Sequence, residues 1–246
     1  MIVFLASFEA ILLKPKTKFQ PIIYNGSYYS RLNMTSTTSI DTKEQILNVA
    51  ERLFAENGFA GTSLRSVIRE ANVNLSAVNY HFGSKEGLFS AIVARTAHPI
   101  VEGELERLKQ YQRKHKIPSV EAILEALLTP ALEIVLNSSN DSINCARFMG
   151  RCRTEPDSIR DLADRHFQES QEAFLDALGR SLPDLSRREL TWKLDLAIAV
   201  LLRVLTEAKK PGALIQDNDS ESIKNTVSKL IDFLAPAISS QSSSKY

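Results

Sequence analysis

Residues 62 to 89, TSLRSVIREANVNLSAVNYHFGSKEGLF, hold the densest set of side chains able to recognise another molecule. Ser76 and Asn79 carry groups that can hydrogen-bond base edges, and Leu75 and Ala77 can touch a thymine methyl. Tyr80 and His81 can reach phosphates. Lys85 sits at a helix start, where backbone N–H groups already favour an anion. Thr62, Ser63, Arg65 and Asn74 complete the set expected to face DNA. The chemistry is recognition rather than bond-making. The chain has no nucleophile elbow, no phosphate loop, no His/Cys metal set and no carboxylate pair with a clear site, so neither an enzyme nor a cofactor or metal is expected.

Such side chains need a scaffold that turns them outward. Thr62 or Ser63 can cap a first helix, with Leu64, Val67, Ile68 and Ala71 forming its apolar stripe. Asn72 suits the left-handed position that closes the helix, and Val73 turns inward. Asn74 caps a second helix, Leu75 to Phe82, which buries Val78 and Phe82. Gly83 stops it, and Ser84 caps a long helix from Lys85. Upstream, Asp41 and Glu44 make a capping-box-like start, and Ile46, Val49, Ala50, Leu53 and Phe54 form a stripe ending at Asn57-Gly58. Two short helices joined by a tight turn give the helix-turn-helix layout, whose second helix enters the DNA major groove. The alternative is a helical hairpin whose polar face is simply solvated.

Residues 50 to 89 resemble the DNA-binding domain of the TetR/AcrR family of bacterial repressors. The matching pieces are Ala50 to Gly58, the Thr62-Ser63-Leu64 opening, and the run from Val73 to Glu86 that ends YHFGSKE. Asn72 departs from the glycine that family members often carry there. The resemblance implies a dimeric repressor with a palindromic operator. It further implies dimerisation through the last two long helices, here residues 186–209 and 220–236.

Composition is that of an ordinary globular chain, with 246 residues, 43% hydrophobic, 24% charged and a net charge of +1. The head adds no basic excess, since residues 41 to 95 hold six basic and six acidic side chains. Any attraction for DNA must come from clustering on one surface and from helix N-termini. Cys145 and Cys152 lie two helical turns apart, too far to bridge, which fits a cytoplasmic protein. The leading apolar run, MIVFLASFEAILL, is too short to span a bilayer, so no membrane partner is expected. Met34 is the expected start of translation, with residues 1–40 a leader or disordered stretch.

Beyond the head only helical patterns occur. Pro99 is expected to break or kink the helix from Lys85, and Pro130 to bend the apolar segment 119–136. A short basic segment follows at 143–154, then one helix from Asp157 to about Gly179, capped by Asp157. Ser186 with Glu189 opens the most apolar helix. RFMGRCRTEP and the stretch after it loosely resemble a TetR subgroup that responds to fatty-acid-type signals. That implies a small apolar effector, of fatty-acyl type, touching Leu124, Leu128, Phe148, Met149 and Phe174. Arg147 and Arg151, one turn apart, could capture a carboxylate. The alternative is surface pairing with Glu155, Asp157 or Asp161. His166 is expected as a hydrogen-bonded core residue.

The expected architecture is all-α: a helix-turn-helix DNA-binding domain at 41–88, a larger ligand-binding and dimerisation domain at 89–238, and a polar tail at 239–246. Two functions compete, a ligand-responsive transcriptional repressor and a helical small-molecule or lipid-binding protein that does not act on DNA.

Overall fold

Side-chain caps set where the helices of the head begin. Ser63 accepts a hydrogen bond from the Ser66 backbone N–H, and the Ser66 hydroxyl accepts one from the Ser63 N–H, a reciprocal capping box. Asn74 Oδ1 accepts from the Ala77 N–H at 2.8 Å, and Ser84 Oγ from the Gly87 N–H at 3.0 Å. A computed structural model of the chain describes residues 34–137, 142–208, 210–217 and 219–240. Its elements are α1 (Met34–Gly61), α2 (Leu64–Glu70), α3 (Leu75–Phe82), α4 (Lys85–Lys114), α5 (Val120–Asn137), α6 (Ser142–Cys152), α7 (Asp157–Asp164), α8 (Gln168–Ser181), α9 (Arg187–Glu207) and α10 (Ser220–Ser239). No strand occurs among the described residues.

α1, α2 and α3 close on the start of α4 around Ile46, Ala50, Phe54, Val67, Val78 and Phe89, all essentially inaccessible. The turn between α2 and α3 is built on Asn72, which takes φ 50°. The Val73 N–H reaches the Ile68 carbonyl and the Asn72 N–H that of Arg69, which is the Schellman closure expected of a left-handed residue after the helix. Only Val78 of α3 is fully buried, so one side chain anchors the helix and leaves most of its face outside.

The helix starts and stops differ from the sequence reading at several places. α1 begins at Met34, so Asp41 lies within a helix rather than at its cap. Residues 1–33 and the tail from 241 lie outside the described residues, as does the expected loop at 138–141. α4 runs through Pro99 as one element. Ala97, Ile100 and Val101, buried on either side, hold the helix against the loss of one backbone bond. α5 likewise runs through Pro130, which packs onto Gly103 of α4. A Cβ at Gly103 would stand 2.9 Å from the Pro130 Cβ, so the close approach of the two helices requires glycine there. The single helix expected from Asp157 is two, α7 and α8, separated by a turn at Arg165–Phe167. In that turn His166 meets Ser90 Oγ of α4 at 2.8 Å, a tertiary bond with no local sequence signal. Pro156, not Asp157, is the N-cap of α7.

α9 carries a buried lysine in its apolar stripe. The Lys193 ammonium donates to the carbonyls of Ala237 and Ile238, at 3.1 and 2.9 Å, and to that of Ser240. A positive charge therefore sits on the unsatisfied carbonyls that end α10, where the helix dipole is negative. The outer faces of the same two helices keep Trp192, Leu196 and Phe233 in solvent, at 47%, 52% and 66% exposure.

Candidate nucleic-acid interface

α3 presents Leu75, Ser76, Asn79 and Tyr80 to solvent, with Leu75 53% and Tyr80 82% exposed. They follow helical spacing around the inward Val78, so they form one outward face. Ala77 and His81 are half-buried at its edge, and the His81 ring meets the Tyr80 ring edge-on at 5.1 Å between centroids. Asn74 and Ser63 are spent on capping, and both remain exposed. Arg65 stands exposed on the first turn of α2.

Two expected members of this set point elsewhere. Thr62 is only 2% exposed, and its hydroxyl donates to the carbonyls of Leu53 (3.0 Å) and Gly58 (2.9 Å), closing the end of α1. It is a structural residue. Lys85 turns back over the Phe59 ring, its ammonium 4.3 Å from the centroid, a cation–π contact. Burial lowers its pKa.

The balance of charge in the head resolves once partners are assigned. Arg52 pairs with Glu56 and Glu70, and Arg95 with Glu44 and Glu51. Four of the six acidic side chains thus share two guanidinium partners, while the exposed Arg65 and Arg69 of α2 form no ion pair among the described residues. Arg69 is absent from the sequence-derived set. Its place, two residues after the inward Val67, marks it as outward.

The second half encloses a cavity of about 490 Å³ among α4 to α9. Its walls include Ile100, Leu127, Met149, Phe174 and Leu201. Of the residues expected to touch an effector, Met149 and Phe174 line it. Leu124 and Leu128 are fully buried in the packing outside the wall. Arg147 is exposed and Arg151 pairs with Glu155 at 3.8 Å, so neither faces the cavity and the surface-pairing alternative holds for Arg151.

Phe148 belongs to the head's aromatic cluster. Its ring stands 5.2 Å from that of Phe89 and 6.4 Å from that of Phe54, centroid to centroid. α6 therefore has two working sides. One carries Ala146, Met149 and Cys152 into the cavity, and the other seats Phe148 against the head. Just beyond α6, the Glu155 carboxylate accepts the Phe59 N–H at 2.8 Å, beside the bend at Gly58. Gly58 takes φ 72°, ψ 177°, a backbone region open essentially to glycine alone, and a Cβ there would meet Arg151 and Glu155 at 2.8 Å.

The profile of bacterial regulatory proteins of the tetR family matches residues 46–92, and that of the tetracyclin repressor-like C-terminal domain matches residues 125–237. The HTH-type transcriptional regulator AcrR of Shigella flexneri is 35% identical over 94 residues, covering 38% of this chain and 42% of that one. The chain spans about half or less of the length of the curated relatives it matches. Two solved structures share its fold. NalD of Pseudomonas aeruginosa, the secondary repressor of the MexAB-OprM multidrug efflux pump, is 22% identical, with a TM-score of 0.53 over 79% of this chain and 96% of that one. The transcriptional regulator FadR of Bacillus subtilis, solved with stearoyl-CoA, is 15% identical, with a TM-score of 0.53 over 78% and 97%.

Proposed function

Because the chain belongs to the TetR/AcrR family of regulators, we propose that it is a dimeric, sequence-specific DNA-binding repressor released from its operator by a small apolar effector. The observation that carries this reading is α3. A helix anchored by one buried valine, with Leu75, Ser76, Asn79 and Tyr80 standing free, has the form of a major-groove reader. Ser76 and Asn79 contact base edges, Leu75 and Ala77 touch thymine methyls, and Tyr80, His81 and Arg65 reach phosphates. Ser63 and Asn74 lie at the helix N-termini, where backbone N–H groups favour phosphate oxygens.

The division of labour follows residues 41–88 for the DNA-binding domain and 89–238 for effector binding and dimerisation. The exposed Trp192, Leu196 and Phe233 support an isologous interface built from 186–209 and 220–236. Two heads paired in this way address half-sites roughly 34–36 Å apart or a near multiple. An effector that fits only one arrangement of α6 shifts the population toward it, and the Phe148 and Glu155 contacts pass that arrangement to the head.

Fluorescence anisotropy on the promoter DNA beside the chain's own gene, with scrambled DNA as control, tests the reading. Promoter-specific binding by a dimer is expected. Equal binding to both DNAs, together with a monomeric mass by light scattering, would return the function to a helical small-molecule-binding protein that does not act on DNA.

A further inference from the structure

Glu104 stands on α4 at the position where the inward stripe of Ile100, Val101 and Leu108 calls for an apolar side chain. It is 5% exposed and lines the cavity. Its Oε2 accepts a hydrogen bond from Ser170 Oγ of α8, which is equally buried and also lines the cavity. Among the described residues no lysine, arginine or histidine forms an ion pair with it. The other charges at the wall are already matched. Arg153 pairs with Asp195 and, at 3.8 Å, with Asp164, and Arg160 pairs with Asp157 at 2.8 Å.

A buried carboxyl without a counter-charge is costly unless something neutralises it. A proton can do so: burial pushes the Glu104 carboxyl up to about 8, with the Ser170 hydrogen bond opposing. A ligand can do the same. Of the three simple head groups an apolar ligand can carry, a carboxylate would bring a negative charge and leave the site without a cation, whether Glu104 is ionised or protonated. A hydroxyl would add one neutral hydrogen bond. An ammonium would supply the missing positive charge while its hydrocarbon body packs on Leu127, Phe174 and Leu201.

We propose that the effector is a lipophilic cation, an amine or quaternary ammonium compound with an apolar body, and that Glu104 is the residue that selects it. This rests on the cavity being the effector site. It names the charge of the effector's polar end, which the fatty-acyl expectation would make negative. Glu104 sits on the helix that leaves the recognition region through Lys85 and Leu88, so charge pairing at Glu104 acts on an element shared with the head.

The test is isothermal titration of the full-length dimer with three probes of equal chain length below their micelle concentrations: dodecyltrimethylammonium, dodecanol and dodecanoate. The ammonium is expected to bind at least tenfold more tightly than either of the others. Glu104→Gln, which keeps the shape and removes the charge, is expected to cost the ammonium at least tenfold while leaving dodecanol within about twofold. Circular dichroism checks that the variant is folded; if it is not, Ser170→Ala and the wild-type ranking decide. Tightest binding of dodecanoate, or a Gln variant that binds the ammonium unchanged, overturns the proposal. Operator binding is measured separately on the same samples. Loss of DNA specificity with ammonium selectivity intact removes the repressor reading and leaves the site; operator release by dodecanoate alone does the reverse.

Discussion

In the head, the side chains with chemistry to offer stand outward on an eight-residue helix held by Val78. In the larger half they turn inward, spread over six helices, onto a cavity whose charged members are mostly matched to one another. The first surface is set by local chemistry: two caps, one left-handed asparagine and a helical period. The second exists only after α4 to α9 have packed. A change in the head's outer face should therefore alter binding and spare stability, while a change in the second half should alter both.

The largest expected effect falls on α6, which belongs to both regions. Phe148→Ala removes a fully buried ring that touches Phe54 and Phe89. It should cost about 3–5 kcal/mol of stability by denaturant unfolding. In a variant still folded at low temperature, DNA affinity should become less sensitive to the effector. Unchanged effector sensitivity would place the coupling elsewhere.

Next comes Glu104. A carboxyl whose folded pKa is raised to about 8 above its ordinary value contributes stability that is complete below the unfolded pKa of 4.5 and lost as pH rises through about 8. Wild-type stability should thus decline from mildly acid to mildly alkaline pH by on the order of a few kcal/mol. Glu104→Gln should flatten that decline, measured as thermal midpoints across pH 5 to roughly 9. Parallel curves for the two proteins would contradict the burial of an uncompensated carboxyl.

Asn79→Ala and Tyr80→Ala separate recognition from folding in the head. Each should weaken operator binding by about 1–3 kcal/mol, the range of a base or phosphate contact, with the thermal midpoint unmoved. Thr62→Val should do the opposite. Loss of its hydrogen bonds to Leu53 and Gly58 lowers stability by about 1 kcal/mol, and operator affinity per folded molecule stays the same. If Thr62→Val instead weakens DNA binding without destabilising, the end of α1 is part of the DNA surface after all.

The head was legible because its signals are local. Ser63, Asn74 and Ser84 cap where a short polar side chain precedes an apolar period, and Asn72 takes the left-handed turn its type permits. Thr62 and Lys85 misled because residue type fixes what a side chain can bond, not which way it faces. The larger half was legible as helices but not as a site. Nothing local announces the turn at Arg165–Phe167, whose reason is a bond from His166 to Ser90 on another helix. Pro99 could break or only kink its helix on sequence grounds, and packing on both sides outweighs the one lost backbone bond, so α4 continues through it as α5 does through Pro130. Arg147 and Arg151 share a helix face, but that face looks away from the cavity. Glu104 did leave a trace in the sequence, a lone acid on the inward stripe of α4, and the same irregularity marks Lys193 in α9.

Lys193 fastens the last turn of α10 to the flank of α9 through three carbonyls at once. The helices that carry Trp192 and Phe233 are therefore clamped together within a single chain. An approaching partner would find the apolar surface already assembled and need not freeze two loose rods into register. The entropy of ordering that surface is spent during folding, so association would begin from a template instead of from a search.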